Sequence, residues 1–342
     1  MEGIFMKTMI QLFFLFLILP VSVFSQESGY KLGHGIKVGD LPLYMGGYFS
    51  LEYEDLSHTA GRSLKLDDIS VMLYGEHENI AYMMEFEASD IYTESFGGPE
   101  ASEEVNDHFH IERMYLDYTF NEHTMARMGK FNSPIGLWNL ISINVLRDTT
   151  SNPVISEILF PRFTTGVELK YSSNNDSMLT VDVLVQGTED MDALISDEVY
   201  NNLDTDRHYG AGLSAEGDAW NYHLNAGYFR LVSDKSYFYF SAAVQYFHEK
   251  FKLQGEVGTQ FDDEGTTVPY VGYVQGLYTL KEGHEAIFRV ESYDDRDTDR
   301  QDTFAVFAYT YRPLYSVAIK GEYQWHSFSE DNKFMLSFSM LF

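Results

Sequence analysis

From residue 43 to the C-terminus the chain alternates between apolar and polar side chains with a period of two. In 43–53, Leu43, Met45, Gly47, Phe49, Leu51 and Tyr53 take one face, and Tyr44, Gly46, Tyr48, Ser50 and Glu52 take the other. That period puts successive side chains on opposite faces of a half-buried strand. The pattern recurs in 64–75, 78–89, 108–120 and about 123–131. After a long interruption it resumes in 164–172, 178–187, 208–216, 219–230, 236–248, 250–261, 267–280, 284–293, 302–311, 314–325 and 332–342. Sixteen strands are expected. In 267–280 and 302–311 both faces are fairly apolar, so the facing of those two stays open.

The breaks alternate in length. Short ones fall at His77-Glu78, Asn121-Glu122, Asn174 to Ser177, Gly217-Asp218, Glu249-Lys250, Lys281 to Gly283 and Arg312-Pro313. Between them lie longer or more charged breaks at 54–63, 90–107, 131–163, 188–207, 231–235, 262–266, 294–301 and 326–331. Tight turns on one side and larger loops on the other describe a transmembrane antiparallel β-barrel, and barrels of about 16–18 strands leave an aqueous channel. A soluble β-sandwich or propeller is the alternative; it needs no such alternation of loop length.

The stretch Phe131 to Arg162 has no strand signal of its own. Loops beyond about 12–15 residues are uncommon unless functional or disordered. This one carries Ile135, Leu137, Trp138, Leu140, Ile141, Val145 and further apolar residues that need burial, so disorder is not expected. It is expected to fold into the lumen and narrow it. Its charged residues Arg147, Asp148, Glu157 and Arg162 are the constriction candidates; they set the local field or salt-bridge the loop to the wall.

Composition narrows the function. A net charge of -29 argues against nucleic acid, whose phosphates demand a Lys/Arg surplus. The 25 Tyr and 26 Phe favour strands and suit aromatic girdles. Without Cys, disulfide scaffolds and thiolate metal sites are excluded. Residues 1–25 read as a secretory signal peptide: Lys7, an apolar run to Phe24, then Val23 and Ser25 before a cleavage point at Gln26. No later stretch reaches about 18 apolar residues. The expected domain is a single barrel over 26–342, exported through the periplasm to the outer membrane of a Gram-negative bacterium, with outer-membrane lipid and lipopolysaccharide around it.

At the C-terminus Phe334, Leu336, Phe338, Met340 and the terminal Phe342 share one face. This resembles the strand by which outer-membrane barrels are passed to their assembly machinery, with Phe338 and Phe342 as its signal. Arg127-Met128-Gly129-Lys130-Phe131-Asn132-Ser133-Pro134-Ile135-Gly136-Leu137 resembles the phosphate-selective porin family, as do 111–120 and, near the end, Tyr311-Arg312-Pro313 with Ile319-Lys320-Gly321-Glu322-Tyr323-Gln324. That resemblance implies a sixteen-stranded channel, commonly a homotrimer, with the third large loop folded inward.

Family members selective for phosphate line the pore with basic ladders. Here the inward positions mix signs: Glu85, Glu87, Arg113, Asp117, Arg127, Glu168, Lys170, Asp182, Arg289, Glu291, Lys320 and Glu322. Same-face neighbours pair Arg113 with Asp117, Lys170 with Glu168, Arg289 with Glu291 and Lys320 with Glu322. Acidic rings favour cations, so passive passage of small hydrophilic solutes with a cation preference is expected. Anion selectivity, or a non-channel surface barrel such as an adhesin or hydrolase, is the alternative.

No G-x-S-x-G or H-E-x-x-H occurs, so no catalytic residue and no cofactor is expected. His108 and His110 share a strand face, but without a third ligand no metal site is assigned. The acidic runs in 188–207 (Glu189, Asp190, Asp192, Asp197, Glu198, Asp204, Asp206) and 294–300 are read as solvated loop charge.

Overall fold

A computed structural model describes residues 32–57, 61–96, 102–106, 109–173, 178–196, 199–328 and 332–342. The signal peptide at 1–25, His108, Asp197, Glu198 and the turn at Asn174 to Ser177 lie outside the described residues.

One antiparallel sheet runs through the chain in sequence order and closes on itself. The barrel strands are β1 (Tyr44–Leu56), β2 (Arg62–His77), β3 (Ile80–Phe96), β4 (Phe109–Asn121), β5 (Thr124–Asn132), β6 (Phe163–Ser172), β7 (Met178–Gln186) and β8 (Thr205–Glu216). They continue as β9 (Trp220–Leu231), β10 (Ser236–His248), β11 (Phe251–Phe261), β12 (Thr266–Lys281), β13 (His284–Asp295), β14 (Arg300–Leu314), β15 (Val317–His326) and β16 (Lys333–Leu341). β16 pairs with β1, from Lys333↔Leu56 to Leu341↔Tyr48, and so closes the ring. Closure removes the unpaired edge on which the apolar last strand would otherwise aggregate.

Two further strands are short. Ile36–Lys37 pairs with the start of β1. Ser102–Val105 pairs with the end of β3, inside the break expected at 90–107. β3 itself runs on to Phe96 through Asp90 and Glu94. Charged side chains do not stop a ladder whose backbone partners remain in place.

The outward face carries the apolar alternation: Leu116, Met128, Leu169, Val183, Leu224 and Phe288 are exposed. Inward residues are polar or are covered by the long loop. The two strands of open facing are explained by that cover. On β12 the inner face is Val271, Tyr273, Gln275 and Leu277, and on β14 it is Phe304, Val306, Ala308 and Thr310. Leu277, Phe304, Val306 and Ala308 form one apolar cluster, and the loop's Val154 packs on it.

Among the register shifts that break the period, two re-aim inward carboxylates. Phe49↔Ile69 is followed by Leu51↔Leu66, so β2 carries one residue more than β1 there. The extra residue brings both Asp67 and Asp68 within reach of the inward Ser50 hydroxyl, at 3.4 and 3.1 Å. Glu85↔Arg113 is followed by Phe86↔Ile111, so Glu112 is the extra residue of β4. Bulges re-aim side chains in this way. Here the bulge buries Glu112 inside beside His110, although it is two residues from Met114.

Candidate functional site

Residues 133–162 descend into the lumen. They include a short 3-10 turn at Asn144–Leu146 and one helical turn at Ile155–Ile158. Ile135, Ile155, Leu159 and Phe160 are buried against the inward Phe229, Tyr237, Tyr239, Val268, Val271 and Tyr273. Val145 is buried against Tyr48, Met72, Ala318 and Leu341, near the tight-turn end of the barrel. Burial of these side chains is what the apolar content of the stretch required, at about 1.5–3 kcal/mol for each large one.

Wall charges then bind the loop's backbone. Glu256 accepts from Trp138 N at 2.9 Å and from the Tyr273 hydroxyl at 2.7 Å. Glu291 accepts from Val154 N at 2.8 Å, and Glu322 from Thr150 N at 3.0 Å and from the Ser151 hydroxyl. Lys320, fully buried, donates to Asn144 O at 2.6 Å, Asn144 Oδ1 at 2.8 Å and Thr149 O at 3.1 Å. Arg289, also fully buried, donates to Glu291 at 2.6 Å, the Thr149 hydroxyl at 2.7 Å and the Ser151 hydroxyl at 2.7 Å. These wall groups satisfy backbone donors and acceptors that the loop, having no ladder of its own, would otherwise leave buried and unpaired.

The four constriction candidates divide by environment. Asp148 is anchored, accepting from Lys252 at 2.6 Å and Gln275 at 2.8 Å. Arg147 braces its own loop, donating to Ile141 O at 3.0 Å and Ser142 O at 2.7 Å. Glu157 is exposed and accepts from Asn152 at 2.9 Å. Arg162 lies half-buried over the Phe163 ring, its Nε without a partner.

The wall candidates pair differently from the sequence expectation in two of four cases. Lys170 stands 3.8 Å from Glu168, and Arg289 is bonded to Glu291, as read from alternation. Arg113 pairs instead with Glu85 across the β3–β4 ladder, and Asp117 with Arg127 at 2.7 Å. Lys320 binds loop carbonyls rather than Glu322. Asp117 stands four residues along the strand from Arg113, farther than Glu85 directly across the ladder, and Lys320 is taken by carbonyls of the loop packed on it. Asp182 and Glu168 are buried on the inner wall, and both Glu168 carboxylate oxygens lack a hydrogen-bond partner.

A second segment also folds inward. Asp190 and Asp192 are buried and both lie 2.8 Å from the Lys130 ammonium. Asp192 also accepts from Ile111 N at 2.8 Å, and Tyr200 donates to Asp90 at 2.6 Å. These two aspartates are therefore not solvated loop charge, as the sequence suggested, but the anchor of 187–196 and 199–204 over the inner wall. Alternation offered no sign of it, because the partner Lys130 is distant in sequence.

Where the loops leave the wall uncovered, acid prevails. Glu52, Asp67 and Asp68 are partly exposed on the inner face of β1 and β2. The basic groups Lys130, Arg289 and Lys320 are fully buried and committed. At the seam, Phe342 exchanges backbone hydrogen bonds with Gly47 at 2.8 and 3.1 Å, and Phe338 packs on Phe49 with ring centroids 5.8 Å apart.

No protein-family model matches the chain, and no curated protein matches it in sequence. Its likeness to solved structures is one of fold. Salmonella typhi OmpF, in a complex with daunomycin, aligns with a TM-score of 0.64 at 8% identity, over 88% of this chain and 97% of that one. The anion-selective porin of Comamonas acidovorans aligns with 0.59 at 9% identity, over 88% and 99%. OmpT of Vibrio cholerae, in a trimer form, aligns with 0.59 at 10% identity, over 88% and 99%. The chain has the porin fold: a closed sixteen-stranded transmembrane barrel.

Proposed function

We propose that this chain is an outer-membrane porin, a non-enzymatic channel for passive diffusion of small hydrophilic solutes, with a preference for cations. The observation that carries the reading is the loop 133–162, fastened inside a closed barrel by Glu256, Arg289, Glu291, Lys320 and Glu322. A loop held that firmly narrows a water-filled lumen to a defined eyelet. The porins of similar fold support the channel and the outer membrane as its place. The Vibrio cholerae trimer supports a homotrimer. Phe338 and Phe342 serve as the assembly signal in this reading, and residues 1–25 as the export signal.

Cation preference rests on which charges meet water. The basic residues of the Arg127–Lys130 stretch, which carries the resemblance to phosphate-selective porins, are neutralised: Arg127 by Asp117, Lys130 by Asp190 and Asp192. Glu52, Asp67, Asp68 and Glu157 remain partly or fully exposed, with Lys65, Arg147, Arg162 and Lys170 among the opposing basic groups. A negative lumen raises local cation concentration.

The test is the zero-current potential of the refolded barrel in a planar bilayer under a salt gradient. A cation-sided potential is expected. An anion-sided one returns the phosphate-selective reading, and a folded barrel that passes no current removes the channel reading.

A further inference from the structure

The bulge at Glu112 does more than bury a carboxylate. It turns Glu112 to the same side as His110, and His110 lies opposite Glu87 in the ladder. One imidazole and two carboxylates therefore meet on two neighbouring strands, each residue almost wholly buried, with exposures of 2% for Glu87, 1% for His110 and 3% for Glu112. One donor atom from each lies within 4.8 Å of the other two.

We propose that Glu87, His110 and Glu112 bind one divalent transition-metal ion of the zinc class in the barrel wall beneath Tyr200 and Asp192. Donor type agrees with this, since imidazole nitrogen and carboxylate oxygen are zinc ligands. Spacing agrees as well. Zinc stands about 2.0–2.2 Å from such atoms, which sets the ligand atoms of a tetrahedron about 3.4 Å apart. His110 Nε2 is 3.1 Å from Glu112 Oε2 and 3.6 Å from Glu87 Oε1, on either side of that value. Three protein ligands leave a tetrahedral ion one position for water.

Beyond His110, the positive charges that act on Glu112 are Arg162 and Lys130, neither of them within ion-pair distance. Arg113 is taken by Glu85, and Lys130 by Asp190 and Asp192. Among the described residues, His110 is the only basic group within ion-pair distance of Glu87 or Glu112. Tyr48 and Ser89 donate to Glu87, as outer-shell groups do around metal-bound carboxylates. His110 Nδ1 is buried without a hydrogen-bond partner, so the carboxylate pair supplies the polar contacts that orient the ring. The Tyr200 ring covers the imidazole at 4.8 Å between centroids. An ion here ties β3 to β4 under that cover.

The experiment is calorimetric titration of zinc chloride into the full barrel, purified in detergent and stripped with a chelator. One tight equivalent is expected above the weak binding of loop carboxylates. His110→Gln and Glu112→Gln should each weaken it at least tenfold, while Asp263→Asn with Glu264→Gln, on the exposed 262–265 turn, should not. Circular dichroism and heat-modifiable migration report whether each variant is folded. The proposal fails if wild type shows no tight equivalent, or if folded His110→Gln retains it; the triad is then a plain buried ion pair. If neither variant folds, cobalt(II) in the wild-type barrel decides. Intense four-coordinate d–d bands support the site, and only weak six-coordinate bands overturn it.

Discussion

Gly136 shows how much of the loop's anchoring turns on one residue. Its φ of +68° lies in the left-handed region, and a Cβ there would stand 2.1 Å from Glu256 Oε2. Only glycine lets the backbone approach the carboxylate that holds Trp138 N. Gly136→Ala should therefore cost about 1–3 kcal/mol of loop anchoring, read as earlier heat unfolding and noisier open-channel current. Unchanged unfolding and noise would show that the Glu256 contact does not hold the loop. Arg289 is the complementary case. It is fully buried and carries the charge that offsets Glu291. Arg289→Met leaves that carboxylate buried and uncompensated, a loss of about 3–5 kcal/mol. Adding Glu291→Gln should recover part of the loss. A double variant no more stable than the single one would mean that Arg289 acts mainly through Thr149 and Ser151.

Among the elements, regular strands were legible in the sequence and irregular ones were not. Period-two alternation located sixteen strands because one face meets lipid and the other water or loop, and a one-residue slip would exchange them. The inward fold of the long loop was legible for a related reason, since Ile135, Ile155 and Phe160 had to be covered and no strand could carry them. The bulges left no trace in the pattern. Each adds one residue and reverses the facing around it, so neither the inward turn of Glu112 nor the Asp67–Asp68 pair was legible from alternation. The partners of Lys130 were hidden too, being fixed by tertiary contact across more than fifty positions. The bulge on β2 makes a prediction of its own. Asp67→Asn with Asp68→Asn removes two carboxylates from the exposed inner wall while keeping their size and the Ser50 contacts. The cation-sided zero-current potential should shrink, with conductance at high salt little changed. A potential equal to wild type would place the selectivity elsewhere, with Glu52 and Glu157 the next to test.

For the whole molecule, a net charge of -29 and a lumen whose fully buried basic groups, Lys130, Arg289 and Lys320, are committed to loops give a field that acts at a distance. Electrostatic focusing in a low-dielectric wall does not require the ion to touch any carboxylate, but it does depend on screening. The Debye length is about 10 Å at 0.1 M salt and about 3 Å at 1 M. At the lower concentration the field of Glu52, Asp67 and Asp68 spans much of the space beside the loop; at the higher one it fades within a water layer or two of the wall. If selectivity arises from this diffuse field, the cation-over-anion permeability ratio should fall several-fold between 0.1 and 1 M potassium chloride. A selective site that coordinates ions directly would instead hold its ratio across that range, because contact distances are shorter than either screening length. Measuring reversal potentials at several mean concentrations with a fixed gradient separates the two. A constant ratio would shift attention from the open wall to a contact site in the eyelet, where Glu157 is the exposed carboxylate of the loop.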